Sequence, residues 1–394
     1  MHIPIFFPQP TTTPPPQDSS SADSTYIRRF HAALPNTTTI TTNKPTPLTP
    51  LPQLAQHLGL KAVFLKDESQ RFGLPSFKIL GASWGCFRAV CVALDVDYRT
   101  TSAGQLQTLI RESNKKQKIG VYTATEGNHG RAVAYMARLL GVEAHVFVPG
   151  YMHAHTKACI QEDGAEIHIV RGDYDLAVGH AAAAASASTM TNETRILVQD
   201  TAWQGYEQIP GWIVDGYSTL MAEIDEQLQQ YSVKSPSIIV TPVGVGSLAS
   251  AVARHCKSHD QTTKVVAVEP ETGACLYKSL AAGESVTVTT APSIMNGSCC
   301  GTLSSLAWDV LRHTVDASVA VSDYASHQAV RYLQTQGISA GPCGGSTLAA
   351  LRCLAETKQD TIALDKDAVV ILLSTEGARP YPEPVDASLT STQH

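Results

Sequence analysis

From about residue 119 onward, short apolar runs alternate with helical patterns, and that alternation leaves few folds open. Strand-like runs fall at 119–123, 144–148, 166–170 and 195–198, and a second series at 237–242, 264–269 and 368–373. Between them lie helical stretches, clearest where Val133, Met136, Ala137 and Leu140 recur at i, i+3, i+4 and i+7. Gly141 then ends that helix, as a residue tolerant of left-handed backbone does. Segments of about 10 to 15 residues are too long for hairpin turns, so successive strands run parallel with a helix in each crossover. Two such series, parted by a helical stretch over 212–229, predict two open parallel-sheet α/β domains with a cleft between them.

The remaining segments fill in this plan. A short helix at 51–58 ends at Gly59, and a strand follows at 62–66. Another helix runs from Lys78 through Trp84 and Phe87 toward Cys91, followed by a polar region to residue 118. Further helices are expected at 131–140, 156–162, 174–187, 248–255, 306–312, 326–336 and 347–355, and a loop at 283–302. Residues 1–25 read as a disordered tail rich in Pro, Thr and Ser. Residues 37–52, again rich in Thr and Pro, read as an extended segment laid on a domain. The domain plan is a large unit of 26–84 with 206–394 and a smaller unit of 85–205.

Composition narrows the function. A hydrophobic fraction of 43% supplies a sizeable core. A net charge of -6 gives no electrostatic reason for a nucleic-acid or anionic-membrane partner. No apolar run approaches the ~18 residues of a membrane span, and no basic segment precedes an apolar leader. The nine cysteines lack CxxC spacing, so neither a metal site nor a dense disulfide framework is expected. Free or buried thiols suit a reducing, cytoplasmic setting.

Five stretches carry chemistry. Ser76-Phe77-Lys78 places a lysine at the mouth of a helix. A desolvated lysine amine can hold an aldehyde cofactor such as pyridoxal phosphate as a Schiff base, and that cofactor accepts electrons from a substrate carbanion. Taken alone, the stretch suits a lysine that merely caps a helix better. The run from Val243 through Gly244, Val245, Gly246, Ser247 and Leu248 joins a strand to a helix, where free N–H groups bind phosphate. No Lys-Ser/Thr follows these glycines, which disfavours a nucleotide P-loop. Glu126-Gly127-Asn128-His129 offers an amide donor for a phenolate oxygen and a carboxylate for proton transfer. Asp200 ends a strand before Trp203 and Tyr206, where a shielded carboxylate would be expected to have a raised pKa. Ser374-Thr375 ends the last strand with hydroxyls, and a neutral partner for a pyridine nitrogen favours elimination over transamination. Ordinary turns and caps also explain each stretch alone; the set, in this order, is specific.

That set resembles the tryptophan synthase β-subunit family of pyridoxal-phosphate enzymes, fold type II, over about residues 26–377. The residues that carry it are Pro45-Thr46-Pro47-Leu48, Lys66-Asp67-Glu68-Ser69, Arg71-Phe72-Gly73-Leu74, Phe77-Lys78, Gly81-Ala82-Ser83, Gly127-Asn128-His129-Gly130 and Ser374-Thr375-Glu376-Gly377. Asp200-Thr201-Ala202-Trp203 with Gly205-Tyr206 points within it to the diaminopropionate ammonia-lyase branch. The resemblance implies that Lys78 holds the cofactor and moves protons. It implies that Gly244 to Leu248 cradle the phosphate, that Asn128 touches O3′ and that Ser374 meets the pyridine nitrogen. Asp200 would be the second acid/base group and Glu126 a carboxylate on the opposite substrate face. The implied reaction is α,β-elimination on 2,3-diaminopropionate or a related β-substituted amino acid, giving a keto acid such as pyruvate and ammonia. A serine/threonine dehydratase or a β-replacement synthase is the alternative, and a non-catalytic binding protein a third reading that Lys78 opposes. A homodimer is also implied.

Three positions depart from the family pattern. Glu126 stands where Asp is usual, which puts use of a D-enantiomer in doubt. Ala340-Gly341-Pro342-Cys343-Gly344 lacks a carboxylate, and Ala378 replaces an Asp. Fewer carboxylates leave fewer contacts for an extra amine, so a different β-substituent is open. Cys275 and Cys300 fall where related enzymes can place two cysteines, and four times in five no bridge is expected.

Overall fold

The structure, a computed structural model, describes residues 4–9, 23–35, 44–113, 118–187, 193–259, 262–357 and 361–386. Most of the expected tail, and part of the Thr/Pro-rich segment at 37–52, lie outside the described residues. Strands β1 (Ile5–Phe6), β2 (Leu48–Pro50) and β3 (Ala62–Asp67) precede the four of a smaller sheet: β4 (Lys118–Ala124), β5 (Glu143–Pro149), β6 (Glu166–Val170) and β7 (Glu193–Leu197). Then come β8 (Ile238–Pro242), β9 (Lys264–Pro270), β10 (Ala317–Val321) and β11 (Val369–Ser374). The large sheet has the order β1-β10-β9-β8-β11-β3-β2 and the small one β6-β5-β4-β7. Pairing is parallel throughout except for β1 and β2 at the two edges.

Helices link the strands in chain order. Around the first strands lie α1 (Ser24–Ala33), α2 (Pro52–Leu58), α3 (Lys78–Ala93) and α4 (Ala103–Ser113). The small sheet carries α5 (Asn128–Leu140), α6 (Ala154–Glu162) and α7 (Tyr174–Ser186). After it come α8 (Gln208–Gly216), α9 (Ser218–Gln229), α10 (Ser247–His259), α11 (Cys275–Ala282), α12 (Ser305–Thr314), α13 (Asp323–Thr335) and α14 (Pro342–Thr357). Both faces of the large sheet are covered. Val240, Val266, Val319 and Leu372 pack with Leu333, Leu348 and Leu351, while Ile239, Val265 and Ile371 face the core holding Leu248, Val252 and Leu311. This is why β8 and β11 read as continuous apolar runs rather than alternating ones.

Several expectations change. Ile5–Phe6, expected in a disordered tail, pairs antiparallel with β10 and covers what would be an open sheet edge. The tail's other end is ordered too: Ser24 begins α1, which buries Ile27 and Phe30. The stretch at 212–229 is two helices, not one; α8 stops at Gly216, and the Tyr217 N–H turns back to the carbonyl of Val214. The polar region before residue 118 holds α4, which buries only Leu106 and Ile110 and so carries a weak apolar pattern. Strand β10, built of Ala, Ser and Val, was not anticipated, nor was α11.

Candidate active site

Parallel strands point their C-terminal ends one way, and loops leaving those ends form crevices between α/β units. Here β3, β4, β7, β8 and β11 deliver the loops that line one cavity of about 280 Å³. Lys78, Glu126, Asn128, Asp200 and the whole run Gly244 to Leu248 line it; Ser374 lies just beneath, next to lining residue Thr375.

Lys78 opens α3. The loop before it rests on the end of β11: Glu68 N–H donates to the Ser374 carbonyl, Phe77 N–H to that of Thr375, and Gly377 N–H to that of Pro75. The Phe77 ring packs at 5.0 Å from Tyr217, and Lys78 Nζ lies 5.3 Å from the Phe77 centroid. Lys78 Nζ donates to Asp200 Oδ2 at 2.5 Å. Burial opposes the lysine's charge, but Asp200 outweighs it and holds the amine protonated well above its ordinary range.

Asp200 corrects the expectation of a raised pKa. Burial does push its carboxyl up, but His129 and Lys78 pull it down further, to about 2. His129 Nδ1 lies 3.7 Å from Asp200 Oδ2. Burial drives that imidazole toward its neutral form, so Lys78 is the lasting source of charge beside the carboxylate. Tyr174 OH lies 3.5 Å from Asp200 Oδ1, and burial raises the phenol well above its ordinary pKa.

Glu126 is the carboxyl poised near neutrality. Burial raises it, against a hydrogen bond donated by Tyr151 OH at 2.6 Å, and Asp173 adds to the rise, giving about 6. Asn128 Nδ2 donates to Glu376 Oε2 at 2.9 Å. Glu376 also accepts from the Cys343 N–H and pairs with Arg379, which donates to Ile294 O and Asn296 Oδ1. The site thus includes His129, Tyr174, Glu376 and Arg379, none of which had been given a role from sequence. Glu376 lay in plain view in the Ser-Thr-Glu-Gly stretch; Tyr174 comes from a helix start with no motif of its own.

The opposite wall has a glycine turn that opens a helix, a geometry that suits an anion. Gly244 and Gly246 sit between β8 and α10, whose first residue is Ser247. A Cβ on Gly244 would lie 2.7 Å from the Gly297 carbonyl oxygen, and Gly246 has φ +94°. Neither position accepts a side chain without displacement or strain. Ser247 Oγ donates to the Asp200 carbonyl at 2.5 Å and so ties this wall to the lysine side. Ser374 Oγ is buried and has no hydrogen-bond partner, a condition that costs about 1–3 kcal/mol unless a ligand meets it. An amine for an aldehyde, a helix N-terminus for a phosphate and an orphaned hydroxyl for a ring nitrogen fit pyridoxal phosphate. Cys275 and Cys300 are free, with Cys275 Sγ directed to the Gly244 carbonyl at 3.8 Å.

Fold and site define a pyridoxal-phosphate enzyme of fold type II. The chain belongs to the family described as pyridoxal-phosphate dependent enzyme, whose sequence model matches residues 40–375. It is 33% identical over 350 residues to diaminopropionate ammonia-lyase of Escherichia coli, covering 85% of this chain and 84% of that one. The Salmonella typhimurium enzyme of that name is 34% identical over 371 residues, covering 88% and 87%. The solved structure of the Escherichia coli enzyme in complex with D-serine superposes with a TM-score of 0.84 at 30% identity, covering 95% of this chain and 94% of that one.

Proposed function

We propose that the protein eliminates ammonia from 2,3-diaminopropionate or a closely related β-substituted amino acid, releasing a keto acid. The observation that carries this reading is the Lys78–Asp200 pair facing the glycine cradle across one cavity. Bound pyridoxal phosphate supplies the electron sink that stabilises negative charge at the substrate α-carbon. Gly244 to Leu248 hold its phosphate, Asn128 its phenolate oxygen and Ser374 its ring nitrogen. Lys78 Nζ, acting in its unprotonated form, takes the proton from the α-carbon on one face; Glu126 serves the other face, as a carboxyl that changes charge near pH 6 can. Asp200 stays ionised, steadies the proton on Lys78 and gives a charged β-amine a negative site. Loss of that amine and hydrolysis of the released enamine give pyruvate and a second ammonia.

The similar Escherichia coli enzyme was solved with D-serine, which supports an amino acid with a polar β-substituent as the substrate class. Two domains, 26–84 with 206–394 and 85–205, place the cavity at their junction, and a cytoplasmic homodimer is the assembled form. Free thiols at all nine cysteines suit that compartment. Among the described residues no helix is long and apolar enough to cross a membrane.

The test is a panel of β-substituted L- and D-amino acids without co-substrate, read as keto acid and ammonia. Two ammonia per pyruvate from diaminopropionate is expected. Keto acid from serine or threonine alone would make the protein a dehydratase, and none from any member would overturn the elimination.

A further inference from the structure

Away from the cavity, at the N-terminal ends of the small-sheet strands, three side chains bring metal-binding atoms together. His145 on β5 and Glu166 on β6 are register partners, and His168 follows two residues later on the same face. His145 Nδ1 lies 3.2 Å from His168 Nε2 and 3.4 Å from Glu166 Oε2, and His168 Nε2 lies 3.7 Å from Glu166 Oε1. Donors bound tetrahedrally at about 2.0–2.1 Å stand roughly 3.3 Å apart; one donor atom from each of the three residues lies within 4.8 Å of the others, with a Glu166 oxygen near each ring nitrogen, so the set approaches one face of a zinc-type coordination sphere. Both rings are set beforehand. Tyr122 stacks on His145 at 4.6 Å and 20°, and Phe147 on His168 at 4.6 Å and 19°. Glu143 and Glu193 also bring carboxylates within 4.8 Å of His145, each paired with a cation, Lys118 and Arg195.

We propose that His145, Glu166 and His168 form a divalent-cation site of zinc type that clasps the edge strand β6 to β5. The role is structural, because the loops that line the cavity leave the opposite ends of these strands. Cysteine spacing gives no hint of it; only the register of β5 and β6 joins residues 23 apart in sequence.

Chelator-treated holoenzyme titrated with Zn²⁺ by calorimetry, and with Co²⁺ by difference absorbance, tests the site. One equivalent should bind, Co²⁺ should give the intense visible bands of a low-coordinate site, and Zn²⁺ should raise the melting temperature. His168→Ala, at a partly exposed position, and the isosteric Glu166→Gln should each weaken binding at least about tenfold, since even outer partners of metal ligands cost 10–100-fold. Both variants should keep wild-type turnover when loaded with cofactor. Absence of saturable binding, or equal binding by wild type and both variants, would overturn the proposal.

Discussion

Replacing Asp200 by Asn should change cofactor capture and turnover in opposite directions. The wild-type pair is short, 2.5 Å, and its side chains are only 18% and 4% exposed. Removing one partner of a buried ion pair costs about 3–5 kcal/mol, because the other charge is left without compensation. At 1.36 kcal/mol per pKa unit, the lower figure moves the Lys78 pKa down by about 2 units. Burial, the largest influence on this amine, already acts in that direction. At a fixed neutral pH the unprotonated amine fraction then rises about 100-fold. Only that form attacks an aldehyde, so the apoprotein of Asp200→Asn should capture pyridoxal phosphate about 100-fold faster at saturating cofactor. Turnover should fall, by about 10²–10⁴ if Asp200 assists proton transfer. Stopped-flow absorbance of reconstitution from pH 6 to 9, beside keto-acid release, reads both. Capture no faster than wild type across that range would refute the claim that Asp200 keeps Lys78 protonated.

Three further outcomes follow from the same site. Glu126 is ionised only above about pH 6, so as a proton acceptor it should make kcat/KM rise with pH through that value; Glu126→Gln should flatten this limb, and an unchanged limb would assign it elsewhere. Gly244→Ala puts a Cβ 2.7 Å from a backbone oxygen, and overpacking of this kind costs about 1–3 kcal/mol. Cofactor titration should show that cost as about 5- to 150-fold weaker binding, and wild-type affinity would remove Gly244 from the cradle. Ser374→Ala deletes a buried hydroxyl without a partner, so the apoprotein should melt no lower than wild type while losing about 0.5–1.5 kcal/mol of cofactor affinity. A lower apoprotein melting temperature would mean that Ser374 serves the fold instead.

Sequence pattern carried the parallel-sheet architecture because buried strands such as β8 and β11 are unbroken apolar runs bounded by turns. It failed where packing decides: β10 is made of small residues that gain strand character only between β9 and β1. That Lys78, Asn128, Gly244 to Leu248 and Asp200 line one cavity was legible because each lies in or just after a connection that leaves the C-terminal end of a strand. The charge state of Asp200 was not, since a lone shielded carboxylate and one paired with Lys78 shift in opposite directions. Tyr174, Glu376 and Arg379 depend on contacts across the cavity that no local spacing reports.

The Lys66-Asp67-Glu68-Ser69 and Arg71-Phe72-Gly73-Leu74 stretches marked the family resemblance without a stated purpose; the structure supplies one. Arg71 donates in bidentate fashion to Glu68 and again to Glu223, across α9. Lys66 Nζ spends its three donors on the Thr46 carbonyl, Glu223 and Gln227. Two cations and two carboxylates therefore balance inside the protein, where any rearrangement would leave a charge unpaired at several kcal/mol. Such a cluster adds little net stability, but it permits few positions for the loop that carries it. The loop turns back at Phe72 and Gly73, with φ of 53° and 85°, the pair of positive values a tight two-residue turn needs. For Phe72 this backbone costs about 1–2 kcal/mol, offset by burying its ring against His31. Four residues after Phe72 the same loop bridges at Ser76 to Glu376, two residues past the end of β11, and α3 begins at Lys78. A buried charge cluster thus fixes the loop that sets where the Lys78 amine stands.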